Sequence, residues 1–150
     1  MKEPTFEDRP GFTLMGVGER IVPDQADWKA LWAAFESRIH DIAPVALGEA
    51  CYGAYFDAGE PKASDFLAGM SVPAGTVAKE GLTVRGVPSA TYAVFECSMD
   101  EIGPTWQWVF GEWLPGSGYR YAEGKPCFEE FAPGVMEGTV PVRIFLPVTG

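Results

Sequence analysis

The chain has 150 residues, 47% apolar and 13% aromatic, and carries a formal net charge of -10 from 21 acidic and 11 basic side chains. That length fits one domain able to bury roughly two-thirds of its unfolded surface, and the apolar content excludes a disordered chain. The acidic balance argues against a surface for nucleic-acid phosphates and fits cationic ligands or a basic protein partner, beside the plainer reading that it keeps the fold dissolved.

No charged-then-apolar leader opens the sequence, and no apolar run approaches the ~20 residues needed to span a bilayer, so a cytoplasmic location without membrane contact is expected. Phe12 to Ile21 (FTLMGVGERI) is rich in strand formers and predicts the first strand. Trp28, Leu31, Trp32, Phe35 and Ile39 then follow the i, i+3, i+4, i+7, i+11 stripe of a helix packed on one side, with Asp24 or Asp27 as its cap. Two strands come next, CYGAYFD (Cys51 to Asp57) and FLAGMSV (Phe66 to Val72), joined by a Gly- and Pro-containing hairpin loop. Val77 to Val87 bridges to the second half and is a candidate extension of its first strand.

A shift of 78 residues superimposes Trp28 on Trp106, Leu31 on Val109, Trp32 on Phe110 and Phe35 on Trp113, the apolar face of a second helix. Ahead of that helix lies TYAVFEC (Thr91 to Cys97). The start stays open between the capping-box spacing of Ser98 and Glu101 and a later start at Pro104; the end is placed at Leu114, before Pro115 and Gly116. CFEEF (Cys127 to Phe131) and VRIFLPV (Val142 to Val148) complete the second copy. The predicted fold is α+β: a βαββ module, duplicated with pseudo-two-fold symmetry, in half-modules of about 5–75 and 80–150. Two antiparallel sheets with helices outside would leave a pocket between the halves, unless side chains fill that space.

Cys51, Cys97 and Cys127 are widely spaced and odd in number, which predicts buried free thiols in a reducing compartment. The lone histidine, His40, stands far from any ligand-spaced partner, so neither a metal site nor a serine triad is expected. GVGE and GSGY lack the strand-to-helix context of a phosphate loop, and no cofactor is implied.

One carboxylate is unusual. Glu129 sits inside an aromatic strand, and alternation puts it on one face with Phe131 while Glu130 faces the other way, so the two acids cannot act on one substrate together. A carboxylate among rings is costly when ionised and unpaired, so it takes up a proton or awaits a cation, unless Glu129 is an ordinary solvated strand glutamate.

LWAAF, YGAYFD, TYAVFEC, WLPGSGY, CFEEF and VRIFLPV, in this order, resemble the GyrI-like small-molecule-binding domain, the effector-binding domain of AraC- and MerR-type regulators. The resemblance covers nearly the whole chain. It implies a central pocket for lipophilic, often cationic, aromatic compounds, with Glu129 at its floor. By position it further implies Tyr52, Tyr55, Trp106, Phe110, Phe131 and Phe145 as aromatic lining, whereas Trp28, Trp32 and Trp113 are expected in the core. Phe131 stands where the family often has tyrosine, and no helix-turn-helix region is present, so a stand-alone form is expected.

Three functions are consistent with this reading. The leading one is sensing or sequestration of a hydrophobic, cationic small molecule. The second is a metal-independent hydrolase that opens strained cyclopropane rings of genotoxic compounds, with Glu129 activating water. The third is an acidic inhibitor that docks on a protein such as gyrase, although no run of like charges supports it. A protein partner or a homodimer is compatible with each.

Overall fold

The computed structural model describes residues 2–150. Its strands are β1 (Thr5–Arg9), β2 (Phe12–Ile21), β3 (Cys51–Asp57), β4 (Ser64–Val72), β5 (Thr83–Val87), β6 (Ala90–Cys97), β7 (Arg120–Tyr121), β8 (Cys127–Phe131) and β9 (Val142–Thr149). They form a nine-stranded sheet in the order β1-β6-β9-β8-β3-β4-β2-β5, with β7 paired off this path to β9, and every pairing is antiparallel. The expected pair of sheets is therefore a single one. At the middle of the sheet β3 pairs with β8, Gly53 opposite Glu129 and Tyr55 opposite Cys127.

Three strands differ from the sequence reading, the two-residue β7 beside β9 being one that it did not include. β1 lies between Pro4 and Pro10 in a charged stretch and pairs with β6 at the sheet edge, where prolines are tolerated. β5 does not extend β6: Pro88 interrupts the chain, and β5 returns to pair with β2, Phe12 opposite Val87.

Helix α1 (Trp28–Ile42) is capped by Asp27, whose side chain accepts the Ala30 N–H at 3.0 Å. Its Leu31, Phe35 and Ile42 pack on Met15, Phe66, Ala68 and Met70 of the sheet. The second helical segment opens with a 3₁₀ turn, Met99–Glu101, where Glu101 accepts the Ser98 N–H at 3.3 Å, so the capping box and not Pro104 starts it. It continues as α2 (Ile102–Trp108), a π turn (Val109–Trp113) and a last turn, α3 (Leu114–Ser117). The end expected at Leu114 is thus overshot. Leu114 N–H reaches back five residues to the Val109 carbonyl, Pro115 is accommodated as the residue that has no N–H to place, and Gly118 at φ 81° terminates the helix. Val109 and Trp113 pack on Phe95, Ile144 and Leu146. No described helix is long and apolar enough to cross a membrane.

Both helices cover one face of the sheet. The opposite face has its own core, without a helix residue: Leu14, Tyr52, Leu67, Tyr92, Phe128 and Phe145 interlock there, with Phe128 stacked on Phe145 at 4.5 Å. Glu130 emerges on this face and accepts from Arg9 (3.2 Å), Arg143 (3.2 Å) and the Tyr52 hydroxyl (3.1 Å), while Arg143 also pairs with Glu7. Strand β1 is thereby tied to β8 and β9. Because Phe128 is fully buried at the centre of this core, Phe128→Ala is expected to lower unfolding free energy by about 4 kcal/mol in a urea titration.

Candidate functional site

The helix-bearing face is not fully filled. Between α1 and the second helical segment lies a cleft of ≈ 1830 Å³, above the range of ordinary small-molecule pockets of ~300–1,000 Å³. Strands β3 and β8 make its floor. Trp28 and Trp32 of α1 wall one side, Trp106 and Phe110 the other, and Tyr55, Glu129 and Phe131 rise from the floor. Trp106 and Phe110 are stacked, centroids 5.7 Å apart, and Trp32 meets Phe131 edge-on at 5.1 Å. The spacing of four residues from Trp106 to Phe110 puts both rings on the same side of the helix.

Glu129 is 3% exposed. Its Oε2 accepts two hydrogen bonds, from the Tyr55 hydroxyl at 2.7 Å and from Trp106 Nε1 at 2.8 Å. Among the described residues no donor reaches Oε1, yet this atom is not among the sealed, unpartnered polar atoms, so it opens on the cleft. Burial pushes the carboxyl pKa from 4.5 up to about 7, against the pull of the Trp106 and Tyr55 hydrogen bonds. Burial, reinforced by the Glu129 charge, pushes the Tyr55 phenol far above its ordinary range and the Cys127 thiol up to about 12. Tyr55 is therefore a fixed donor, and Cys127 an unreactive thiol.

Tyr55, Trp106, Phe110, Glu129 and Phe131 come together around the cleft. Tyr52 and Phe145 do not: both belong to the core of the opposite face. For Tyr52 the reason is strand alternation, since it is three residues from Tyr55 and must point the other way. For Phe145 it is register, because it lies across from Phe128 and shares its face. Trp28 and Trp32, expected in the core, are half-buried and line the cleft, whereas Trp113 is buried against Phe95 at 5.1 Å.

The sequence reading missed the loop from Pro133 to Glu137, which lines the mouth and exposes Met136, and no periodic signal marks it. It also missed Gly53, the floor residue paired with Glu129. The mouth carries Asp24, Glu36, Glu49, Asp57, Glu123 and Glu137 against Lys29 and Lys125, an excess of negative charge that draws cations inward. Among the described residues no cluster of His, Cys, Asp or Glu has a metal-holding arrangement, and His40 is exposed beside Asp41.

The raised Glu129 pKa has a definite sign in stability. Between pH 4.5 and 7 the folded state holds a proton that the unfolded state has released, so stability declines as pH rises through this window and levels off above it. Tyr55 and Cys127, which face the carboxyl, titrate outside the window. The unfolding free energy of wild type minus that of Glu129→Gln is expected to fall by on the order of 3 kcal/mol across it. Urea unfolding at several pH values measures this difference, and a flat profile would assign Glu129 an ordinary carboxylate pKa.

Comparison with known proteins agrees with this fold. A DNA gyrase inhibitor of Erwinia billingiae (strain Eb661) is 34% identical over 73 residues, 47% of this chain and 46% of that protein, so the match spans less than half of the curated relative. Among solved structures, SAV2435 bound to tetraphenylphosphonium superimposes with a TM-score of 0.80 at 15% identity, covering 99% of this chain and 95% of that one. The EcmrR C-terminal domain superimposes with a TM-score of 0.68 at 14% identity, covering 98% and 97%. At these identities the structural likeness establishes the fold. The family model described as GyrI-like small molecule binding domain matches residues 2–149, and the chain belongs to that family.

Proposed function

We propose that this domain binds lipophilic aromatic cations in the cleft between its helices, for sensing or sequestration, with Glu129 as the counter-charge. The observation that carries this reading is a carboxylate 3% exposed, walled by rings, with one oxygen held by two donors and the other open to the cleft. A flat cation would gain ~0.5–2 kcal/mol from each ring face it covers while supplying the charge that Glu129 lacks. The likeness to a fold that holds tetraphenylphosphonium in SAV2435, itself a lipophilic aromatic cation, supports the ligand class. We also read the order β6-β9-β8 followed by β3-β4-β2 as two copies of one strand-helix-strand-strand unit, which would put the site where the copies meet.

A second reading has one observation in its favour. A carboxyl with a pKa of about 7 beside a fixed hydroxyl donor is suited to general-base hydrolysis. Under that reading Glu129→Gln stops product formation but leaves neutral-ligand binding, which chromatography of the ligand after incubation detects.

For cation binding, fluorescence titration is expected to show that Glu129→Gln weakens a planar lipophilic cation tenfold or more and a neutral aromatic of similar size by less than threefold, as for loss of a charge-assisted contact of roughly 1.5–3 kcal/mol. Equal losses for both would sink the reading. Binding should also release most of a proton at pH 6 and almost none at pH 8, because the cation selects the ionised carboxylate. Calorimetry in buffers of different ionisation enthalpy measures this release.

A further inference from the structure

We propose that Gly53 is the positioning residue of the cleft: by having no side chain opposite Glu129, it lets Oε1 settle over the β3 backbone while Oε2 stays on its two donors, and so presents the free oxygen to a bound cation. The proposal rests on the cation-binding reading and adds a residue to it.

Gly53 is the direct cross-strand partner of Glu129. A Cβ built there would stand 3.2 Å from Glu129 Oε1 and 3.0–3.1 Å from the ring edge of Phe66. Both neighbours are held by contacts elsewhere. Phe66 is buried against Trp28, centroids 5.1 Å apart, and against Tyr55, also at 5.1 Å. The carboxylate is anchored on its other oxygen by Tyr55 and Trp106. A methyl group at position 53 must therefore displace Oε1 by a few tenths of an ångström and stretch the bonds at Oε2. Backbone conformation does not require glycine here, since Gly53 is not among the residues with positive φ. Its use lies in the space it leaves, as for glycines where another group approaches the strand closely.

The test is Gly53→Ala, with Gly53→Ala/Phe66→Leu compared against Phe66→Leu as a second pair that removes the ring conflict and keeps the fold if the single variant fails. With a planar lipophilic cation as probe, Gly53→Ala is expected to weaken binding about fivefold or more in both backgrounds, as for impaired charge-assisted hydrogen bonding. A neutral aromatic should change by less than threefold. Full recovery of cation binding in the Phe66→Leu background, or equal losses for both probes, would overturn the proposal.

A ligand-free arm separates this idea from the cation-binding reading. Longer bonds from Trp106 and Tyr55 would relax their downward pull on the Glu129 pKa, so the step in stability that depends on Glu129 should move to higher pH in Gly53→Ala. If wild type binds no cation, the function proposed above fails, while this step still tests whether Gly53 places the carboxylate. A step that does not move means that Gly53 has no hold on Glu129.

Discussion

The cleft is organised around one desolvated carboxylate. An ionised group removed from water is destabilised by several kcal/mol unless charges or donors replace its hydration, and among the described residues Glu129 has two donors on one oxygen and none on the other. Partial compensation is what sets its pKa near neutrality. A further donor would lower that pKa, and the loss of either existing one would raise it. The main architectural features serve this balance: the β3–β8 pairing carries Tyr55 to the floor, and the second helical segment holds Trp106 above it.

The sheet can leave such a group underemployed because its two faces do different work. Along β8 the alternation sends Phe128 and Glu130 to one side and Cys127, Glu129 and Phe131 to the other. On the first side, rings interlock without a helix, and Glu130 finds Arg9, Arg143 and Tyr52. The two neighbouring glutamates thus meet opposite fates. Glu130 is surrounded by cations that it fixes in place, and Glu129 lies among rings that offer no positive charge. With packing secured on the far side and under each helix, the strip between the helices need not be filled by side chains.

Much of this was legible in the sequence because it depends on period. The Leu31 and Phe35 stripe, the strand alternation at Glu129 and Phe131, and the capping box at Ser98 are local patterns, and each has its expected counterpart in the fold. What failed has more than one cause. Tyr52 could have been separated from Tyr55 by alternation alone, but the motif that contains both was read as a unit. Phe145 required knowing that it pairs with Phe128. Trp28 and Trp32 obey the helical stripe correctly, yet a stripe reports only which way a residue faces, not whether the space in front of it is occupied. Gly53 was silent for a related reason, since its role exists only once Glu129 lies across from it. The π turn left one trace, a proline sited where a regular helix would have ended.

The proposed ligand class follows from the same balance. Rings supply affinity for any flat apolar molecule, so the aromatic walls alone would discriminate poorly between neutral and charged compounds. Discrimination comes from what each ligand does to Glu129. A neutral molecule filling the cleft strips the remaining water from Oε1 and makes the ionised carboxylate costlier, so it binds best when the acid is protonated. A cation does the reverse, favouring the ionised form and gaining from the acidic mouth on its way in. On this view selectivity is not a fixed property of the pocket shape. It strengthens as pH rises through the carboxyl pKa, and that pKa is set by the Tyr55 and Trp106 hydrogen bonds and by the depth at which the strand pair holds the group.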